Sequence, residues 1–275
     1  MTSIPFWKLQ AIGNDFPLFH AEDLHGVDLS ELAIKAADRK FGIGGDGILV
    51  VGRLGTERVL LRMFNPDGTE DFCGNGLRIA ARHAFDQGWV AGDFTIQHLD
   101  RAVAATVQPD ELISTTIGSA NYDPSVVPID RPSELFDDAV ATVDGKEWVG
   151  SALSTGSTHT VLRVEELPST EETAMVGSAL EHNPLFPERT SVIFSKALDP
   201  MTLQIRIWER GVGETLGCGT GSSAAAADHL RRTGGGGVVT VQNPGGTIQV
   251  EMADWRSSIT ISGFAEETYR GHFQL

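Results

Sequence analysis

Apolar and polar residues along the chain repeat one pattern twice: a strand-like run, a loop, and an alanine-rich helical stretch. In the first copy, residues 59–64 are mostly apolar and begin with a β-branched side chain, which is typical of a strand. Residues 65–68 (Asn-Pro-Asp-Gly) then favour a turn, because proline and glycine set the backbone where a chain reverses. Apolar side chains next recur at helical spacing, which predicts a helix from about residue 74 to residue 87, with Gly88 as its stop.

The second copy follows the same order. Residues 203–208 alternate apolar and polar side chains, as a half-buried strand does. A loop over residues 209–214 leads to a helix that passes through four alanines at 224–227 and ends at about residue 232, before four glycines. Because alanine lets neighbouring strands approach closely, both helices are predicted to be central helices wrapped by sheet.

Short β-branched runs predict further strands at residues 48–51, 94–97, 103–107, 192–194, 238–241, 248–250 and 258–261. Residues 30–40 have an amphipathic pattern that predicts a helix with Ser30 as its N-cap. The proline-rich, polar stretch 121–132 predicts the crossover between domains. The pattern therefore predicts a mixed α/β architecture with two similar domains and a cleft between them.

Composition narrows the class of protein. A chain of 275 residues exceeds the usual size of a single core, so two domains of roughly 100–150 residues are expected. The net charge of −16 argues against nucleic acid or an anionic membrane surface as a partner. No apolar run has the length of a signal peptide or a membrane span. With two cysteines and no secretion signal, a reducing cytoplasm is the expected compartment and two thiols are the expected state.

The sequence predicts neither a nucleotide site nor a metal site. Residues 42–47 fit the GxGxxG pattern, but they follow a predicted helix and precede a predicted strand. A dinucleotide site needs the strand first and the helix second, so a nucleotide is not expected there. The eight histidines show no HExxH spacing and the cysteines no CxxC pair, so no metal site is expected. Seven of the eight histidines are interpreted as ordinary surface or hydrogen-bonded residues, namely His20, His25, His83, His98, His182, His229 and His272.

The two cysteines open nearly identical tetrapeptides, Cys73-Gly-Asn-Gly and Cys218-Gly-Thr-Gly, each before an alanine-rich helix. Two cysteines in a random sequence are most often small core residues. Here the glycines favour a functional interpretation, because they leave backbone N–H groups uncovered at the first turn of each helix. Such a helix N-terminus attracts anions and is expected to lower the pKa of a thiol. The pattern therefore predicts an enzyme that removes a proton from one face of a carbon and returns one to the other.

Several motifs in combination resemble the diaminopimelate epimerase family. They are GNDF at 13–16, FNPDGTE at 64–70, CGNGLR at 73–78, ERGVGET at 209–215 and CGTG at 218–221. The resemblance extends from Lys8 to residues 271–273 and so covers nearly the whole chain. The last motif alone is less specific, because it also occurs in proteins similar to proline racemase.

The resemblance implies an α/β fold of two pseudosymmetric domains, each a curved mixed sheet around a central helix, with the active site in the cleft between them. It places residues 1–120 together with 265–275 in the first domain, which carries Cys73, and residues 121–264 in the second, which carries Cys218. It implies no pyridoxal phosphate and no metal. The expected partner is a small amino-acid substrate, and a homodimer is the assembly that the resemblance allows.

By the same resemblance, one cysteine is a thiolate base and the other a thiol acid, on opposite faces of the substrate α-carbon. His159 and Glu209 match the family's polar groups beside the thiols. The substrate-binding residues implied are Asn14, Asn65, Gly74, Asn75, Ser157, Ser191, Arg210, Gly219 and Thr220.

Within that set, the helix-terminal residues Gly74, Asn75, Gly219 and Thr220 are implied as donors where charge develops in the α-carboxylate. The guanidinium of Arg210 is implied to hold the distal carboxylate, a task that suits its planar fork.

Two positions depart from the family. Ser157 and Ser191 stand where the family usually has asparagines that contact the distal half of the substrate. Serine is shorter and has one hydroxyl instead of an amide, so a direct contact becomes water-mediated or is lost. The mechanism is therefore better supported than the identity of the substrate.

Three functions follow from the sequence. The first is epimerisation of LL-diaminopimelate to the meso form, which supplies lysine and peptidoglycan precursors. The second is racemisation of another amino acid, such as histidine, by the same two thiols, and the two serines favour it. The third, a relative of the phenazine-biosynthesis type, is disfavoured because such proteins lack the thiol pair that this chain has.

Overall fold

The chain divides into two compact units in a computed structural model that describes residues 3–108 and 110–275. The first unit comprises Met1–Thr116 and Ser262–Leu275, and the second comprises Ile117–Ile261. Each unit has a hydrophobic core of its own. The first core includes Phe6, Phe19, Leu32, Ile48 and Val50, and the second includes Leu135, Trp148, Leu180, Val192 and Phe194.

The strands of the described residues are, in chain order, β1 (Ser3–Ala11), β2 (Asn14–His20), β3 (Ile48–Arg53), β4 (Arg58–Phe64), β5 (Asp93–His98), β6 (Arg101–Val107), β7 (Ile113–Ser119), β8 (Asp138–Val143), β9 (Lys146–Ser154), β10 (Thr158–Arg163), β11 (Ser191–Asp199), β12 (Thr202–Glu209), β13 (Gly213–Thr215), β14 (Gly237–Asn243), β15 (Gly246–Met252), β16 (Ser258–Gly263) and β17 (Glu266–Gln274). The α-helices among them are α1 (Leu29–Ala37), α2 (Gly74–Asp86), α3 (Thr170–Glu181) and α4 (Gly219–Thr233).

In the first unit the strands pair in the order β17, β1, β2, β3, β4, β5, β6, β7. The pairs β2–β3 and β4–β5 are parallel, and the others are antiparallel. A parallel pair needs a crossover connection. Helix α1 makes the first crossover and α2 makes the second.

The second unit repeats this topology. Its strands pair in the order β8, β9, β10, β11, β12, β14, β15, and the parallel pairs are β10–β11 and β12–β14. Helices α3 and α4 make the two crossovers, as α1 and α2 do in the first unit. The prediction of a mixed α/β fold with two pseudosymmetric halves is confirmed.

The second crossover helix of each unit is nearly enclosed. Ten of the thirteen residues of α2 are buried, and so are eleven of the fifteen residues of α4. Helix α2 packs against β1, β3, β4, β6 and β17, and α4 against β9–β12, β14 and β15. A helix that is buried on all sides needs small side chains where strands come close. The alanines at 80, 81 and 84 and at 224–227 meet this need, so the prediction of two central helices is confirmed.

The first helix corrects two details of the sequence prediction. Its N-cap is Asp28 rather than Ser30, because the Asp28 carboxylate accepts the backbone N–H groups of Ser30 and Glu31. It ends at Ala37 rather than at residue 40, because Asp38 leaves the helical conformation. The Asp38 carboxylate then accepts the N–H groups of Lys40 and Phe41 and forms a turn. The amphipathic pattern continued past the point where this turn ends the helix.

Candidate active site

The thiol of Cys73 caps helix α2. Cys73 has an extended backbone (φ −133°, ψ 110°), and its Sγ accepts the backbone N–H of Gly76 at 3.2 Å. A Cβ at position 76 would lie 3.1 Å from Leu49 Cδ2 and 3.4 Å from the same sulfur. The glycine therefore gives the thiol room at the first turn of the helix.

Cys218 caps α4 in the same conformation (φ −135°, ψ 123°), and its Sγ accepts the N–H of Gly221 at 3.4 Å. The Thr220 hydroxyl lies 3.2 Å from this sulfur, and Thr155 Oγ1 donates to the Thr220 carbonyl at 2.8 Å. Both cysteines are thiols outside any disulfide. Each unit thus presents one sulfur at the N-terminus of its central helix.

The pKa of the Cys218 thiol is raised, which is the reverse of the expected lowering. Burial of the thiol is the largest cause, and the negative charge of Glu209 is the next. The hydrogen bonds from Thr220 and Gly221 act in the opposite direction and are outweighed. Thr215 Oγ1 donates to Glu209 Oε1 at 2.5 Å. Cys218 is therefore a neutral thiol, the form that a general acid requires.

The backbone of Cys73 is fixed by His98, whose side chain is fully buried. His98 Nε2 accepts the N–H of Cys73 at 3.1 Å, and its Nδ1–H donates to the Leu61 carbonyl at 3.1 Å. The ring also stacks on Phe72. Burial lowers the pKa of His98, so the ring is neutral and keeps Nε2 as an acceptor. This role was not predicted from the sequence, because no spacing pattern links residue 98 to residue 73.

His98→Leu removes the acceptor that holds the Cys73 N–H. We expect the free energy of unfolding to fall by about 2 kcal/mol, because two buried backbone groups lose their partner. We also expect iodoacetamide to alkylate Cys73 at least roughly threefold faster in a Cys218→Ser background, because the thiol becomes more accessible. His98→Gln keeps an acceptor in reach of the Cys73 N–H, so its alkylation rate should return most of the way to the slower rate of the protein with His98. Equal rates in the Leu and Gln variants would contradict this role.

Four predicted substrate-binding residues belong to the first unit, and the side chains of two of them are in direct contact. Asn75 Nδ2 donates to Asn14 Oδ1 at 3.1 Å, so these two amides are in direct contact. Asn65 instead donates to Thr69 Oγ1 at 3.1 Å, within the turn after β4. Gly74 is the first residue of α2, immediately after Cys73.

In the second unit, parallel pairing of β10 with β11 sets His159 opposite Ser191. The Ser157 hydroxyl lies 3.0 Å from His159 Nε2, and the Ser191 hydroxyl accepts the backbone N–H of Arg210 at 3.1 Å. Both serine hydroxyls are thus engaged with other predicted site residues. Gly219, the first residue of α4, follows Cys218 directly.

His159 is buried, and its pKa is lowered to about 3 by that burial and by the positive charge of Arg210. Its imidazole is therefore neutral near pH 7. Nδ1 is buried and has no hydrogen-bond partner among residues 3–108 and 110–275.

The loop that carries Arg210 is held by Glu181, at the end of α3. The Glu181 carboxylate accepts the N–H of Gly211 at 2.8 Å, the indole N–H of Trp208 at 2.8 Å and Arg189 Nη1 at 3.0 Å. Arg210 Nη1 donates to the Glu188 carbonyl at 3.0 Å. This role of Glu181 was not predicted from the sequence. A carboxylate in the last turn of a helix, where the macrodipole disfavours it, is the signal that could have found it.

Among the described residues, no group of three or more His, Cys, Asp or Glu side chains could hold a metal ion. None of the described helices is long and apolar enough to cross a membrane.

Comparison with known sequences gives one family. The sequence model of diaminopimelate epimerase matches residues 6–122 and 151–263. The diaminopimelate epimerase of Caldanaerobacter subterraneus is 37% identical over 284 residues, which cover 98% of this chain and 99% of that protein. The enzyme of the same name from Moorella thermoacetica is 34% identical over 281 residues, with 98% and 99% coverage.

Comparison with solved structures shows the same fold in more distant proteins. A phenazine biosynthesis protein of the PhzF family from Bacillus anthracis superposes with a TM-score of 0.70 at 16% identity, over 100% of both chains. A hydroxyproline epimerase from Agrobacterium vitis gives a TM-score of 0.66 at 13% identity, over 99% of this chain and 91% of that one.

Proposed function

This chain belongs to the diaminopimelate epimerase family, and from that premise we propose that it interconverts LL- and meso-2,6-diaminopimelate with two thiols and no cofactor. The observation that carries the proposal is the pair of thiol caps. Two sulfurs sit in matching geometry at the first turns of two central helices. The product is a precursor of lysine and of peptidoglycan.

In the proposed reaction, a thiolate takes the α-proton from one face of the substrate and a thiol returns a proton to the other. The electron pair left on the α-carbon delocalises into the α-carboxylate. We propose that N–H groups of Gly74 and Asn75 in α2, and of Gly219 and Thr220 in α4, stabilise that charge. The first-turn N–H groups of a helix lack intrahelical partners, and the helix dipole favours negative charge beside them.

Each thiol needs a group that takes and returns its proton between turnovers. We assign Glu209 to Cys218, because its charge acts on that thiol and Thr215 holds it in place. We also propose that His159 is one of the polar groups beside the thiols, where its pKa of about 3 keeps the buried imidazole neutral and makes it a hydrogen-bonding group. With Cys218 held as a thiol, it is ready to donate its proton in the direction in which the other sulfur is the thiolate base.

We propose that Arg210 binds the distal carboxylate, that Ser157 and Ser191 lie around the distal half of the substrate, and that Asn14 and Asn65 also contact the substrate. Support comes from the Ser191 hydroxyl, which fixes the backbone of Arg210, and from Glu181, which fixes the next residue. The two serines, which stand where the family has asparagines, contact neighbouring site residues: Ser157 lies beside His159, and Ser191 holds the backbone of Arg210. The loop that carries Arg210 is therefore supported although position 191 is a serine.

Exchange of the α-proton in deuterated water tests which amino acid is the preferred substrate. We expect a panel of amino acids to give the highest kcat/KM with diaminopimelate. The double variant Ser157→Asn, Ser191→Asn should keep or raise that value, because asparagine retains an acceptor for the Arg210 N–H and adds amide donors. The single variants separate the two positions. A wild-type preference for histidine, lost in the double variant, would overturn the substrate and leave the two-thiol mechanism standing.

A cytoplasmic location and a homodimer are further parts of the proposal. Two thiols that must stay reduced for catalysis suit a reducing compartment. Light scattering at several protein concentrations measures the assembly state directly.

A further inference from the structure

Four polar side chains of the first unit form one hydrogen-bonded row. Asn14 Nδ2 donates to Asp46 Oδ2 at 2.6 Å. Asn75 Nδ2 donates to Asn14 Oδ1 at 3.1 Å. Arg78 Nη2 donates to Asn75 Oδ1 at 2.6 Å. Asn14 and Asn75 are both assigned above to substrate binding, Asn75 through its backbone N–H, whereas Asp46 and Arg78 have no assigned role.

The row has a single direction because its two ends cannot exchange roles. A carboxylate accepts hydrogen bonds only, and a guanidinium donates only. Each amide between them must therefore turn its NH2 group toward Asp46 and its carbonyl toward Arg78. If either amide rotated by 180°, it would set two donors or two acceptors against each other. Hydrogen bonds in such a row also polarise one another, so a charge at one end strengthens the bonds beyond it.

The glycine-rich loop that resembles a nucleotide motif is what brings Asp46 to Asn14. A Cβ at Gly45 would lie 2.7 Å from Pro17 Cδ, and a Cβ at Gly47 would lie 2.3 Å from the Phe64 carbonyl oxygen. Only glycines let the loop lie so close to β2 and β4.

The carboxylate of Asp46 is then fixed on both oxygens. Oδ2 also accepts the backbone N–H of Asp15 at 3.1 Å, and Oδ1 accepts Arg39 Nη2 at 2.7 Å. The backbone N–H of Asp46 donates to the Asp15 carbonyl at 2.8 Å.

We propose that Asp46 is a positioning residue for substrate binding, which sets the orientation of the Asn14 and Asn75 amides through this row. The inference rests on the proposed function for its kinetic consequence and on geometry alone for the row itself. In the fixed orientation the Asn14 amide keeps one N–H for the substrate, and an N–H suits the carboxylates of a diamino diacid. A positioning residue of this kind acts on KM more than on kcat, because the Asn14 amide holds the substrate and does not transfer its proton.

Kinetics of three variants test the proposal. Asp46→Ala should raise KM for diaminopimelate about tenfold and lower kcat less than about threefold, since a hydrogen bond to a charged group is lost. Asp46→Asn, which can still accept from Asn14, should recover most of that loss. Arg39→Gln is the matched control, because it removes the ion pair on Oδ1 and leaves the row intact. A KM within twofold of wild type in Asp46→Ala, or an equal rise in Arg39→Gln, would overturn the proposal.

Side-chain amide NMR tests the row without any substrate. The chain has six asparagines, so selective ¹⁵N-asparagine labelling gives few signals, and Asn14→Ala and Asn75→Ala identify the two needed. In Asp46→Ala both the Asn14 and the Asn75 resonances should shift, although Asp46 bonds only the first. An unmoved Asn75 resonance would overturn the row. Wild-type protein that leaves diaminopimelate unchanged would instead overturn the proposed function, and the NMR result would then decide the row by itself.

Discussion

Alanine at either position 73 or position 218 will slow epimerisation by about a thousandfold or more, because general acid–base groups contribute factors of this order. Each thiol acts once in every turnover, so neither can replace the other. The two single variants and the double variant should therefore be almost equally slow, as expected of groups that act as a unit. The measurement is α-proton exchange of each diaminopimelate stereoisomer in deuterated water.

Two controls separate lost chemistry from lost structure. Each sulfur caps a helix, and losing a cap costs about 1 kcal/mol, so the alanine variants should remain folded by circular dichroism. The serine variants should still eliminate halide from a β-halogenated substrate analogue. That reaction needs a single base, since the electron pair from the α-carbon expels the halide. Full epimerase activity in either alanine variant would exclude the two-base mechanism.

Removal of the Arg210 guanidinium has the second largest expected effect. Arg210→Ala should lower kcat/KM for diaminopimelate by roughly 10²–10³-fold, because breaking a buried ion pair costs about 3–5 kcal/mol. Arg210→Lys should recover only part of this, since an ammonium cannot form two parallel bonds to a carboxylate. Arg163→Ala, at an exposed position at the end of β10, is the matched control and should behave as wild type.

The same variant distinguishes substrates. An amino acid without a distal carboxylate, such as histidine, should lose little from Arg210→Ala. If diaminopimelate and histidine lost the same factor, the guanidinium would not be binding the distal carboxylate. The lost charge would also cease to depress the His159 pKa, so activity should then be compared at several pH values.

Local signals predicted much of the fold. The strand, loop and helix of each central crossover were predicted because alternation, turn residues and alanine content agree within a short window. Helix α3 was missed because its polar and apolar residues are only weakly segregated. The cap of α1 was misplaced by two residues because both Asp28 and Ser30 are good capping residues. Only the structure shows which side chain bonds the free N–H groups.

In the candidate site, too, the features set by contiguous residues were predicted, and those set by distant contacts were not. The cysteines and their glycines are contiguous in sequence, so their position at helix N-termini was predicted and is confirmed. His98, Glu181 and Asp46 act on residues 25 to 32 positions away, and no local pattern indicates such contacts. The direction of the Cys218 pKa shift was wrong because the sequence shows the helix terminus and not the burial or the nearby Glu209 charge.

The pairing of β1 with β17 has a consequence for synthesis on the ribosome. The two strands pair from Ser3 opposite Gln274 to Gln10 opposite Glu266, so β1 cannot complete its pairing until β17 has been translated. Until then, one edge of β1 is open, and an open edge invites pairing with another chain. Residues 117–261 are continuous in sequence, and their unit can fold while translation proceeds. The half that carries Cys73 is therefore completed after the half that carries Cys218, although it is encoded first.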